Sequence, residues 1–188
     1  MEIVLDNKII CDLFPFLGKK GKSFEMEKIR VEVSGGRLFY AGTNGKILGI
    51  FSRALDNTET AQKDFSVCVP VQQFGKVSAF RKGRLGLTSD DLEHFKLTVG
   101  GGEFSFTRET CEFPKFKQIL LQPDNRQPLE TYRVFNPADL AAVADFMGAG
   151  YYSTPYVLEN KNKAKPVQFE AETCGQKWTA LIMPVRGN

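Results

Sequence analysis

One arrangement recurs three times along this chain: a strand, a helix and then three strands, beginning near residues 2, 65 and 131. The repeat is one of hydrophobic pattern and not of letters, with a period of about 60 residues. The first unit shows it best. Residues 2–5 read as a short strand, and Asp6 is placed to cap a helix over residues 7–13 that Pro15 limits. Alternating runs follow at 29–33 and 38–40, joined by Ser34-Gly35-Gly36-Arg37, a hairpin signal. Asn44-Gly45 marks a second turn before a strand over 47–52. The chain therefore reads as α+β, built of repeated β-α-β-β-β units.

The other two units are read the same way. Residues 56–63 are polar and form a loop, and 65–69 form a strand. Pro70 suits the first turn of a helix over 71–77, and strands resume near 83–87, 95–99 and 103–107. Residues 113–130 carry Pro114, Pro123 and Pro128 and read as a bridge. A strand is expected over 131–135. Asn136 is then an N-cap with Pro137 at the first helical position, and Leu140, Val143, Ala144 and Met147 line one helical face. Three strands near 152–159, 165–173 and 178–185 complete the unit.

Composition bounds the function classes. At 188 residues and 42% hydrophobic, the chain has ample core for one large or two small domains. No apolar run reaches the roughly 18 residues of a membrane span, and the first six residues lack the features of a signal peptide. Cys11, Cys68, Cys111 and Cys174 are far apart without a C-x-x-C, which predicts buried thiols in a reducing, cytoplasmic setting. A net charge of +3 permits contact with nucleic acid without arguing for it.

Catalytic constellations are missing from the sequence. His94, the only histidine, follows Asp90-Asp91-Leu92-Glu93 and reads as a surface turn residue. It has no serine or cysteine context for a triad, and one histidine cannot build a His-rich metal site. Gly100-Gly101-Gly102 lies between strand signals, so it is a hairpin and not a phosphate loop. Asp90 and Asp91 are adjacent and suit a turn cap better than an acid/base pair. No catalytic residue, metal or cofactor is expected, which points to a binding role.

Three segments give that role a direction. The tail, Trp178-Thr179-Ala180-Leu181-Ile182-Met183-Pro184-Val185-Arg186, is an apolar strand ending at a proline. Glu112-Phe113-Pro114-Lys115-Phe116-Lys117 lies upstream, and Gly42-Thr43-Asn44-Gly45-Lys46-Ile47-Leu48 earlier still. In this order they resemble the bacterial DNA sliding clamp, the β subunit of DNA polymerase III. Clamps end in an M-P-M-R-like strand, carry an A-T-D-G-x-x-L turn and enter their last domain through a G-x-F-P-D-Y-type bridge. Asn44 stands where the family has Asp, and Gly187-Asn188 replaces a terminal Leu.

The resemblance implies a DNA-clamp-like fold, with helices on one side of antiparallel sheets, a full domain over 1–114, a bridge over 115–130 and a half domain over 131–188. A family chain has three full domains and closes a ring in pairs, so the resemblance implies a shortened version, whose length fits a phage or mobile-element kind. It also implies a pocket for the Gln-x-x-Leu-Phe-like peptides of polymerases and repair proteins. Thr43, Gly45, Lys46 and Leu48 would form one side, and Pro114, Gln118 and Ile119 the junction. Ile182, Met183, Pro184, Val185 and Arg186 would form the floor and rim. Met suits an adaptable apolar floor, and Pro a rigid rim. Clamp helices line the hole and touch phosphates without reading sequence. Here Lys8, Lys19, Lys20 and Lys22 lie in or after the first helix, and Lys76, Arg81, Lys82 and Arg84 in or after the second. The third helix offers only Asp139 and Asp145.

The function expected is that of a non-enzymatic clamp-like protein of DNA replication or repair, binding partner peptides and duplex DNA. A regulator that mimics a clamp and sequesters such peptides without encircling DNA is the alternative. A β-rich phage structural protein is a third reading. By count of units, four copies would match a six-domain ring. A monomer or small dimer is favoured, because the Pro-rich bridge is long enough to shield an open edge.

Overall fold

The first strand of the chain leaves its own unit to pair with the next one, and this exchange organises the first half of the molecule. The computed structural model describes residues 1–18, 27–59, 63–70, 85–99, 102–108, 113–120, 126–128, 134–148, 156–160 and 166–184. The first unit comprises β1 (Glu2–Leu5), α1 (Asn7–Leu13), a 3-10 turn (Phe14–Phe16), β2 (Lys28–Ser34), β3 (Arg37–Thr43) and β4 (Ile47–Ala54). The second has β5 (Phe65–Pro70), β6 (Leu85–Thr88), β7 (His94–Val99) and β8 (Gly102–Thr107). Then come α2 (Phe116–Ile119), β9 (Arg126–Pro128), α3 (Pro137–Gly148), β10 (Tyr156–Asn160), β11 (Val167–Thr173) and β12 (Gln176–Ile182).

Two antiparallel sheets result, ordered β1-β6-β7-β8 and β5-β2-β3-β4-β12-β11-β10-β9. β1 pairs with β6, placing Ile3 opposite Leu87. β5 returns the exchange by pairing with β2, placing Val67 opposite Val31. The last strand β12 lies against β4 from Lys177 opposite Ser52 to Ile182 opposite Ile47, joining the first and third units into one sheet. The edge of β10 is taken by β9 from the bridge, with Leu158 opposite Pro128.

Alternation along the strands gives the large sheet two different faces. One packs against α1 and α3 and holds the main core, including Leu38, Tyr40, Phe51, Trp178 and Ala180. Phe51 meets Trp178 and Phe16 meets Phe146, each at 5.0 Å between ring centres. Gly49 lets the 3-10 turn come this close, because a Cβ there would lie 2.9 Å from Leu13 Cδ2 and 3.0 Å from the Phe16 ring. The other face carries a smaller cluster of Ala41, Leu48, Ile50, Phe113, Phe116 and Leu181.

The expected caps form. Asp6 accepts from the backbone N–H of Lys8 (2.9 Å) and Ile9 (3.1 Å), and Asn136 Oδ1 from those of Ala138 (2.9 Å) and Asp139 (3.3 Å). Gly35 and Gly36 turn the first hairpin with positive φ. His94 is exposed, its Nδ1 2.6 Å from an Asp91 oxygen. Asp91 caps the turn: the backbone N–H of His94, then its ring and the backbone N–H of Glu93, hold the carboxyl below its ordinary range.

Several expectations need correction. The buried face of α3 is Val143, Phe146 and Met147, while Leu140 and Ala144 are exposed, a rotation that lets Phe146 reach Phe16. Val134 and Phe135 are not in a strand; the strand that flanks β10 comes earlier, at β9. β12 ends at Ile182, where its pairing with β4 ends. Four buried thiols were expected, but Cys68 is disulfide-bonded, Cys11 is half-buried and Cys174 is exposed in the β11–β12 turn with φ of 49°, while Cys111 lies outside the described residues. The helix expected over 71–77, and Gly100 and Gly101 of the glycine run, lie outside the described residues. Among these residues no helix is long and apolar enough to cross a membrane.

The loop after β4 holds a buried ion pair that polarity alone did not suggest. Arg53 Nη1 lies 2.6 Å from Glu59 Oε2, and the Glu59 side chain is fully buried. Arg53 also donates to Val4 O (2.9 Å), while Val4 N–H donates to Glu59 Oε1 (3.0 Å), so the pair ties β1 to β4 across the two sheets. Burial works to raise the Glu59 carboxyl, but Arg53 and the N–H groups of Asp56 and Val4 outweigh it and hold it below its ordinary value of 4.5. Glu59→Gln leaves Arg53 buried without its counter-charge and is expected to cost about 3 kcal/mol near neutral pH. A carboxyl with a depressed folded pKa contributes stability above its unfolded pKa and loses it as pH falls through the folded one. Urea unfolding should therefore show the gap between wild type and variant closing below the ordinary value of 4.5; a gap constant with pH would refute this role.

Candidate functional site

The turn between β3 and β4 is built by side chains that satisfy its backbone. Thr43 Oγ1 donates to Ile47 O (2.7 Å) and accepts from Gly45 N–H (3.1 Å). Asn44 Oδ1 accepts from the N–H groups of Lys46 (2.9 Å) and Ile47 (3.0 Å), using only its oxygen, as an aspartate would. Gly45 has φ of 84°, a left-handed value that favours glycine. The tail docks on this turn: beyond the last strand pair, Met183 N–H donates to Lys46 O at 3.0 Å.

The bridge supplies the third segment. Its start folds into the short α2, with Phe116 N–H donating to Pro114 O and Leu120 N–H to Phe116 O. Phe113 and Phe116 are buried in the outer cluster with Leu48 and Leu181. Arg30 lies over both rings, its Cζ 6.0 Å from the Phe113 centre and 5.7 Å from that of Phe116. The turn, the bridge and the tail, distant in sequence, therefore converge on the sheet face turned away from α1 and α3.

Not every residue expected there is present. Thr43 and Leu48 are buried, and Gly45, Lys46, Pro114 and Gln118 are exposed. Ile119 and Met183 are large apolar side chains left 42% and 43% exposed, and Pro184 is half-buried. Ile182 points the other way, into the main core, because the alternation that sends Leu181 outward sends its neighbour in. Val185 and Arg186 lie outside the described residues. Leu181, Ile50, Phe113 and Phe116 were not expected in the site. Counting back in twos from Met183 would have found Leu181.

Of the basic residues, only Lys8 is described; Lys19, Lys20, Lys22, Lys76, Arg81, Lys82 and Arg84 lie outside the described residues. Lys8 sits on α1, 3.3 Å from Asp12. On α3, Asp139 is half-buried and Asp145 exposed. Among the described residues no group of three or more His, Cys, Asp or Glu could hold a metal ion.

Neither a protein-family model nor a curated protein matches the sequence. Solved structures do match. The DNA polymerase sliding clamp of Pseudomonas aeruginosa aligns over 100% of this chain and 66% of its own, with TM-score 0.66 and 15% identity. The same organism's DNA polymerase III β subunit bound to griselimycin gives 0.67 at 14% identity, covering 100% and 66%. The β subunit of Thermotoga maritima gives 0.69 at 12% identity, with coverage of 100% and 66%. The chain thus spans just under two thirds of the length of these clamps, and along its whole length it has the fold of the bacterial DNA sliding clamp.

Proposed function

We propose that this chain is a non-enzymatic, clamp-like accessory protein of DNA replication or repair whose outer sheet face binds short peptides of polymerases or repair proteins. The observation that carries the reading is the meeting of the three clamp-like segments around Leu48 and Leu181. The face suits an apolar peptide. Buried Leu48, Leu181, Phe113 and Phe116 give a fixed base, and exposed Met183 and Ile119 give adaptable apolar contacts. Lys46 and Gln118 are exposed polar groups able to orient a ligand. On this reading residues 1–114 form one full domain, 115–130 a bridge and 131–188 half of a second domain.

Isothermal calorimetry with a Gln-x-x-Leu-Phe peptide tests the site. Binding is expected, and Met183→Ala should weaken it by about 1–3 kcal/mol, the range for an interface anchor. Absence of binding at a peptide concentration of about 1 mM, a Kd worth only about −4 kcal/mol, would remove the assignment.

Duplex DNA is the second partner in this reading, held by Lys76, Arg81, Lys82 and Arg84. Affinity should then be independent of sequence and fall steeply with salt, and replacing the four by Ser should flatten the slope by about 3–4 units of log K against log salt. An unchanged slope would discard DNA contact at these residues.

A sequestering regulator is the second reading, and the β9–β10 pairing favours it, since the bridge itself covers an edge that ring closure would otherwise use. Light scattering separates the two. A mass near one or two times the 21.1 kDa of the chain is expected, and a mass near four chains would restore the ring.

A further inference from the structure

The outer sheet face carries a groove of about 320 Å³, farther along β4 and β12 than Leu48 and Leu181. Its apolar lining is Phe39, Ile50, Phe116 and Leu120, with α2 forming one wall. Ser52 and Thr179 add hydroxyls from β4 and β12, and both residues are buried, 6% and 4% exposed. Arg37, Lys117 and Lys177 reach it, against the single carboxylate of Glu172.

The three cations are not equivalent. Lys117 is 2.6 Å from Glu32 and lies over the Phe39 ring, and Lys177 is 3.2 Å from Glu170. Arg37 is held instead by neutral oxygens, donating to Ser52 Oγ at 3.2 Å and to Gly175 O at 3.3 Å. Among the described residues no carboxylate pairs with it, and no side-chain hydrogen bond engages the Thr179 hydroxyl. A guanidinium fixed by neutral acceptors keeps its charge available to a planar carboxylate. The Thr179 hydroxyl, lining the groove without a side-chain partner, is placed to donate to a ligand oxygen.

We propose that this groove binds an acidic peptide segment in which an aromatic or aliphatic anchor sits beside a carboxylate. The anchor would occupy the lining of Phe39, Ile50 and Leu120, and the carboxylate would take Arg37 and the Thr179 hydroxyl. With Lys117 and Lys177 engaged by Glu32 and Glu170, Arg37 is the groove cation left for a ligand, which suits a single carboxylate and not a nucleic-acid backbone with its negative charge at every step. The volume suits one large side chain with its neighbouring carboxylate, at the small end of ligand sites. This inference shares Ile50 and Phe116 with the peptide reading above but uses neither Met183 nor the β3–β4 turn, so the two are tested apart.

Fluorescence anisotropy with two labelled, N-acetylated and C-amidated peptides, Gly-Asp-Phe-Asp-Gly and its isostere Gly-Asn-Phe-Asn-Gly, tests it on the full chain. The acidic peptide is expected to bind at least about tenfold tighter than the isostere. Arg37→Gln should remove that preference. Thr179→Val, nearly isosteric, should weaken the acidic peptide about fivefold while leaving thermal unfolding unchanged, which keeps the test decisive if Arg37→Gln perturbs the fold. Met183→Ala should have no effect. Equal binding of the two peptides, or no binding of either at about 1 mM, would overturn the inference. So would a loss of binding in Met183→Ala with none in Thr179→Val, an outcome that places the peptide at the other site and leaves the proposed function standing.

Discussion

The pairing of β4 with β12 is the constraint on which both faces of the large sheet depend. It joins a strand near residue 50 to one near residue 180 in a single register. On the helix side that register sets Phe51 against Trp178; on the outer side it sets Leu48 against Leu181. A slip of one residue would exchange the two sets and put indole and phenyl rings into solvent. Each large apolar side chain turned out this way would forfeit about 1.5–3 kcal/mol. The outer apolar surface is therefore held in place by the core beneath it, although the two share no side chain.

Polar groups then tie the pieces that burial alone would leave loose. The Arg53–Glu59 pair bridges the two sheets through the backbone of Val4, and Tyr40, buried among the core rings, accepts from Asp6 N–H at 3.1 Å. Burial pushes the Tyr40 hydroxyl well above its ordinary pKa, so it remains a neutral partner for the helix cap. α1 is thereby fixed at its N-cap by hydrogen bonds and along its length by Ile9, Ile10 and Leu13. Gly49 and the 3-10 turn complete the seat, and α3 rests on the same face against β12 and β4.

Local features were legible in the sequence because they are decided within a few residues. Asp6, Asn136, Gly35-Gly36 and Asn44-Gly45 each act on their own neighbours, and each acts as its residue type requires. Pairing across the chain was not legible. Nothing in the alternation of residues 2–5 says that β1 leaves its unit for β6, since one apolar strand fits any edge of matching pattern. The same ambiguity put Ile182 in the candidate site in place of Leu181: the tail is apolar on both faces, so periodicity cannot choose between them. Glu59 was hidden for the opposite reason, as a charged residue in a polar loop whose partner lies on another element.

The fate of the sheet edges follows from the same topology. β4, β8 and β12 each end one of the three units, and β4 and β12 consume each other's edges. β10 is closed by β9, which is short and ends in a proline that cannot donate at that position. β5, the other edge of the large sheet, likewise ends at Pro70. β8 is the remaining terminal strand, paired on one side with β7 and without a strand on the other among the described residues. Its Phe106 stacks on Phe95, but Phe104 stands exposed, flanked by the Lys96–Glu103 and Glu93–Arg108 pairs. Charges around an open edge discourage indiscriminate strand addition while leaving the backbone groups accessible to a matched partner. Among the described residues, β8 is therefore the one unit-ending strand whose outer edge no other strand occupies.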